Sequence, residues 1–110
     1  MAHNWELLRP GFTFREFRER TWRIPDRYLD QNCGCPLHGV GMVDEWPAIG
    51  VGLDDPLAQD GVLVPGMTVC IESYMGEVGG AEGVKLEQQV LITDSGHEIL
   101  SRFPLDSAFL

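Results

Sequence analysis

The chain has 110 residues, 44% of them hydrophobic and 23% charged, so it has the length of one domain and a composition that argues against disorder. Its 17 acids against 8 lysines plus arginines give a net charge of −9, which argues against nucleic acid as a partner and leaves room for metal ions or a cationic small molecule. No apolar run approaches the ~20 residues of a membrane span, no basic region with an apolar core follows Met1, and three cysteines, an odd number, fit a reducing cytoplasm.

Ala2 to Leu8 reads as the last turns of a helix, stopped by Arg9-Pro10-Gly11. Thr13-Phe14-Arg15-Glu16 has the form of a capping box, so a helix from Phe14 to Arg23 is expected. Phe14, Phe17 and Thr21 mark its apolar face, while Arg15, Arg18, Glu19, Arg20 and Arg23 fall on the rest, a solvated surface or a local anion site. Pro25 suits the first turn of a short helix over Asp26–Gln31. Cys33-Gly34-Cys35 is too tight for an easy disulfide; the pair suits a turn, or half of a zinc site with His38 as third partner.

Leu37–Val40 reads as a short buried strand. Trp46 to Gly61 has no clear period and carries Pro47, Gly50, Gly52, Pro56 and Gly61, which predicts a long loop, with Asp54, Asp55 and Asp60 as its solvated acids. Val64-Pro65-Gly66-Met67 is a turn signal. A strand over Thr68–Gly76 then puts Cys70, Glu72 and Tyr74 on one face and Val69, Ile71 and Ser73 on the other. A strand over Val84–Thr93 puts Lys85, Glu87, Gln89 and Leu91 opposite Val84, Leu86, Val90 and Ile92. A last strand, His97–Arg102, follows the Asp94-Ser95-Gly96 turn, so residues 64–102 read as an antiparallel meander.

Glu72 and Glu87 stand out because each interrupts an apolar strand, and a buried carboxylate needs a partner or a metal. On adjacent strands the two would converge, and His38 from a third segment would complete an N,O,O donor set suited to Fe, Mn, Zn or Co. Simpler readings stay open: Glu87 paired with Lys85, Glu72 at an edge, and His38 as a hydrogen-bonded turn residue. Asp44 would face such a metal if its loop folds back, as a general base, with Glu45 its rival. Trp46 and Tyr74 offer ring faces to a cationic group, or simply pack.

Four motifs in order, Leu37-His38-Gly39-Val40-Gly41, Asp44-Glu45-Trp46-Pro47, Pro65-Gly66-Met67 through Glu72, and Gly83-Val84-Lys85-Leu86-Glu87, resemble the pita-bread metallopeptidase superfamily over residues 4–106. The resemblance implies an α+β chain, short helices followed by an antiparallel sheet, with residues 1–110 forming the C-terminal part of a pita-bread (creatinase/aminopeptidase) catalytic domain. It implies His38, Glu72 and Glu87 as metal ligands. Peptidases of the superfamily carry a second histidine where this chain has Asp44, and commonly an acid where it has Gln88. The combination of Gly39-Val40-Gly41 and Asp44-Glu45-Trp46-Pro47 with Cys70-Ile71-Glu72-Ser73-Tyr74-Met75-Gly76-Glu77-Val78-Gly79-Gly80 is instead similar to the dimethylsulfoniopropionate lyase branch. There the aspartate matching Asp44 is taken to abstract the substrate's α proton, releasing dimethyl sulfide and acrylate.

The resemblance thus implies an iron-dependent lyase, with Mn, Zn or Co as other candidate metals, acting on a small zwitterion in the cytoplasm. It implies no nucleic acid or membrane partner, and a homodimer for the full-length family. The alternatives are a metallohydrolase of the aminopeptidase or Xaa-Pro peptidase type and a non-catalytic remnant of the superfamily. The family's two aspartate ligands precede the part matched here, so the chain is expected to be a fragment with three of five ligands, and weakly active or inactive by itself.

Overall fold

A computed structural model describes residues 1–51, 54 and 58–105, the side chains of Asp44 and Glu45 excepted. Two short helices, α1 (Ala2–Trp5) and α2 (Phe14–Arg20), and a 3-10 turn at Asp26–Tyr28 precede five strands: β1 (Leu37–Val40), β2 (Asp44–Ile49), β3 (Thr68–Gly76), β4 (Gly83–Thr93) and β5 (Gly96–Ile99). The strands form one antiparallel sheet in the order β2-β1-β3-β4-β5. This is the α+β arrangement expected from the sequence, with β3-β4-β5 as its meander.

Strand alternation sorts the side chains onto two faces. Leu37 of β1, Val69 and Ile71 of β3, and Val90 and Ile92 of β4 are all fully buried, together with Ile49 of β2. They pack with Phe14 and Phe17 of α2 and with Leu7, Leu8, Phe12 and Leu63 into one core. Burying each such side chain is worth ~1.5–3 kcal/mol, so this layer supplies most of the driving force for folding. The opposite face of β1, β3 and β4 carries His38, Cys70, Glu72, Tyr74, Lys85 and Glu87, because Leu37 pairs with Ile71, His38 with Cys70, and Glu72 with Glu87.

The capping box is formed. The Glu16 N–H donates to Thr13 Oγ1 (3.1 Å), and the Thr13 N–H donates to Glu16 Oε2 (2.9 Å). The helix ends at Arg20 rather than Arg23, since Thr21 turns extended and the Trp22 N–H donates to Asn4 Oδ1 at 2.8 Å instead of continuing the helical ladder. Arg18 is a correction to the solvated-face reading. It lies four residues after Phe14, on the same stripe, and is buried, with Nη1 donating to the Gln59 carbonyl at 2.9 Å. Asp60 is nearly fully exposed 3.9 Å from Arg18 Nη2, and Asp54 is exposed, while Asp55 lies outside the described residues.

The larger correction is β2. Its last four residues, Trp46–Ile49, belong to the stretch expected as loop, yet Asp44–Ile49 pairs with β1. Pro47 is compatible with a strand here because β2 ends the sheet order, where a missing N–H breaks no ladder. The register with β1 shifts between His38, opposite Ala48, and Gly39, opposite Glu45, which leaves Trp46 and Pro47 as a bulge. The Val64–Met67 turn forms as expected, with Gly66 at φ +91°, a region open to glycine without steric cost. The expected Asp26–Gln31 helix is only the single 3-10 turn, and β5 ends at Ile99, where the Gln89 N–H passes to the Ser101 hydroxyl at 2.9 Å.

Candidate metal centre

The face opposite the core brings three chemically distinct donors together. His38, Cys70 and Glu87 each offer one ligand atom, and the three atoms lie within 4.8 Å of one another. They come from three neighbouring strands: β1 sets His38 beside Cys70, and β4 swings Glu87 over from the next rung, where it pairs with Glu72.

His38 is buried, and its Nδ1 lies 2.9 Å from the Gly39 carbonyl oxygen. A carbonyl only accepts, so Nδ1 carries the hydrogen; in the neutral ring Nε2 then presents a lone pair. That nitrogen faces Glu87 Oε1 at 3.8 Å, too far for a hydrogen bond. A lone pair and a carboxylate oxygen at that separation suit a shared cation, since metal–ligand bonds of roughly 2.0–2.2 Å place two ligands of one ion at about such distances. The backbone carbonyl on Nδ1 is the outer partner that metal-bound imidazoles commonly have. The donor set therefore fits a divalent metal.

Glu87 is held at both oxygens. The Cys70 thiol donates to Oε1 at 3.0 Å, and Lys85 Nζ lies 3.2 Å from Oε2. The thiol first, and the lysine after it, hold the carboxyl below its usual range, against the opposing effect of partial burial. Glu72 has its side chain nine-tenths buried and meets Lys85 Nζ at 2.7 Å. The ammonium is accordingly kept protonated well above the usual lysine value, by Glu72 foremost and then Glu87. Lys85 thus bridges both acids, where the sequence suggested a pairing with Glu87 alone. Glu72 joins the cluster through that bridge and is not among the three converging donors.

Asp44 pairs with Val40 through the backbone of β2, and its side chain lies outside the described residues. Tyr74 shares the face of Cys70 and Glu72, with its ring over Gly83, where a β-carbon would come within 2.7–2.9 Å of it. It borders a cleft of about 410 Å³ that also exposes Glu72, Trp22, Ile24 and Pro36. Trp46 lies elsewhere. Its ring packs edge-on against the buried Phe14, with centroids 5.4 Å apart, so the bulge turns it to the core side. Cys33 and Cys35 fit the turn reading rather than the alternative of a zinc half-site with His38; Cys35 Sγ donates to the Leu37 carbonyl at 3.3 Å. Cys70 was not singled out from the sequence, and Lys85 was named only as a partner of Glu87. Cys70 and Lys85 each sit two positions before a candidate ligand, and period-2 alternation alone puts them on its face.

The chain belongs to metallopeptidase family M24, which it matches over residues 1–94. Its fold agrees. It superimposes on the dipeptidase PepE of Mycobacterium ulcerans with a TM-score of 0.70 at 23% identity, over 94% of this chain and 27% of that one. The prolidase of Pyrococcus furiosus gives 0.70 at 26% identity, over 94% of this chain and 30% of that one. Among curated relatives the chain is similar to the dimethylsulfoniopropionate lyase DddP of Roseovarius nubinhibens, 44% identical over 108 residues, 97% of this chain. It is also 41% identical to the DddP of Roseobacter denitrificans over 109 residues, again 97% of this chain. In both cases it spans 24% of the relative's length. Among the described residues no helix is long and apolar enough to cross a membrane.

Proposed function

We propose that this chain is the metal-binding and base-supplying part of an iron-dependent lyase that splits dimethylsulfoniopropionate into dimethyl sulfide and acrylate. The observation that carries the lyase reading over a peptidase is the identity gap. The chain is 41–44% identical to two such lyases and 22–26% identical to the solved peptidases that share its fold. Asp44, standing where peptidases of the superfamily have a histidine, agrees with it.

In this reading His38 and Glu87, which already converge, would hold the metal, and Glu72 would join them as third ligand by exchanging its Lys85 partner for the ion. When bound, the metal supplies a Lewis acid for the substrate carboxylate and thereby acidifies the neighbouring α carbon. Asp44 takes the α proton. The electron pair of that C–H bond forms the new C=C bond, and the Cβ–S pair leaves with sulfur as neutral dimethyl sulfide. Tyr74, which borders the cleft beside Glu72, suits the sulfonium end, since a ring face attracts a cation. Trp46, more than half exposed with its ring edge-on to Phe14, is given no role in this reading.

The experiment is headspace detection of dimethyl sulfide from a protein of the relatives' full length carrying this sequence. Asp44→Asn is expected to lower release by about 10²–10⁴-fold, the usual worth of a general base. Undiminished release would remove Asp44 from the reaction. The peptidase reading rests on the prolidase and X-Pro aminopeptidase neighbours. Hydrolysis of an Xaa-Pro dipeptide after manganese or cobalt addition, without dimethyl sulfide release, would favour it.

A further inference from the structure

We infer that Cys70 is a positioning residue of the metal centre, whose thiol fixes the Glu87 carboxylate in the orientation that meets His38. The inference rests on the metal-centre reading above and goes beyond its ligand set. Cys70 is 3% exposed, on the face of β3 away from the core, directly opposite His38 on β1. Its Sγ is 3.0 Å from Glu87 Oε1, the same oxygen that faces His38 Nε2 at 3.8 Å.

A carboxylate oxygen has two lone-pair directions. With the thiol proton on one of them, the other is left for the ion shared with His38. Lys85 at Oε2, 3.2 Å away, fixes the second oxygen, so rotation about the last bond of Glu87 is braked from both ends. Glu87 is the donor that most needs such a brake, because more than a third of its side chain is exposed while His38 is enclosed. Outer partners of this kind commonly govern metal affinity by about 10–100-fold. The thiol keeps its proton throughout and forms no bond to the ion.

The test is a titration of the 110-residue chain with cobalt(II) chloride in a Cys33→Ser/Cys35→Ser background. It is followed by calorimetry and by near-ultraviolet absorption, where a thiolate bound to cobalt gives an intense band. Cys70→Val removes the donor at similar volume and is expected to weaken cobalt binding about 10-fold or more. Cys70→Ser restores an O–H donor and is expected to recover most of the loss, which a role in packing alone would not produce. Cys70→Ala replaces the valine variant if that one unfolds.

Cobalt binding unchanged in Cys70→Val or Cys70→Ala would overturn the inference while leaving the metal centre standing. A near-ultraviolet band in the parent that Cys70→Ser abolishes would also overturn it, by making sulfur a ligand. Absence of cobalt binding in the parent would instead bring down the metal-centre reading itself, and the inference with it.

Discussion

Lys85 governs the charge of the site. It stands between two glutamates that face each other across adjacent strands, one of them nearly enclosed, and without it two like charges would be directly opposed. The pH dependence follows from the two shifts. Glu87 is held below the usual 4.5, so its contribution to stability is fully present above that value and is lost as pH falls through the depressed one. Lys85 is held above the usual 10.5, so its contribution is fully present below 10.5 and is lost as pH rises through the raised value. Lys85→Met is expected to destabilise the chain by ~1–3 kcal/mol near neutral pH, mostly because Glu72 loses its partner while buried. The penalty should shrink in acid, as Glu87 protonates below its ordinary 4.5; thermal unfolding followed from neutral pH to well below 4 measures both effects. A pH-independent loss would mean that the bridge is packing and not charge. The sequence allowed a Lys85–Glu87 pair as the rival to a metal site. The folded chain has that pair and the converging His38 together, because a single ammonium serves one oxygen of each acid and leaves Glu87 Oε1 facing the imidazole.

Short elements here depend on specific local chemistry. Helix α2 has only seven residues, below what is stable in isolation, so its capping box and its packing on the sheet decide whether it forms. Thr13→Ala is expected to cost on the order of 1 kcal/mol, read as a fall in the urea midpoint at unchanged slope. Gly61 lies against the ring of Phe14 so closely that a β-carbon would overlap it, and Phe14 is fully buried. Gly61→Ala is therefore expected to destabilise by ~1–3 kcal/mol as an overpacking change, measured the same way; a neutral result would mean that the ring has room to move. At this scale periodicity read well wherever it persisted. Strand β3 was legible residue for residue, and β4 to within one residue, because period-2 patterning runs the length of each. Strand β2 was missed because Trp46-Pro47 interrupts its period as a bulge, and Pro47 reads as a loop residue unless the strand is known to end the sheet order. Arg18 was misassigned because charge outweighed its place one turn after Phe14, and its backbone partner at Gln59 is 41 residues away, invisible to local pattern.

For the whole molecule, the fold is a two-faced sheet: an apolar face sealed by α2 and the N-terminal segment, and an opposite face that gathers His38, Cys70 and Glu87. A net charge of −9 suits the second face, which gathers carboxylates around a cationic centre. The architecture and family were readable from four ordered motifs, and the family match over residues 1–94 agrees with them. The arrangement of the centre was not readable, because it depends on strand register: a shift of one residue between β3 and β4 would separate Glu72 from Glu87 and carry Glu87 away from Cys70. The central claim is that His38 and Glu87 share a divalent metal. Anaerobic titration of the chain with ferrous iron, with bound iron counted after removal of the free ion, tests it most directly. Saturable binding in the parent that His38→Ala removes is the predicted result; equal binding by both chains, or none by the parent, would contradict it.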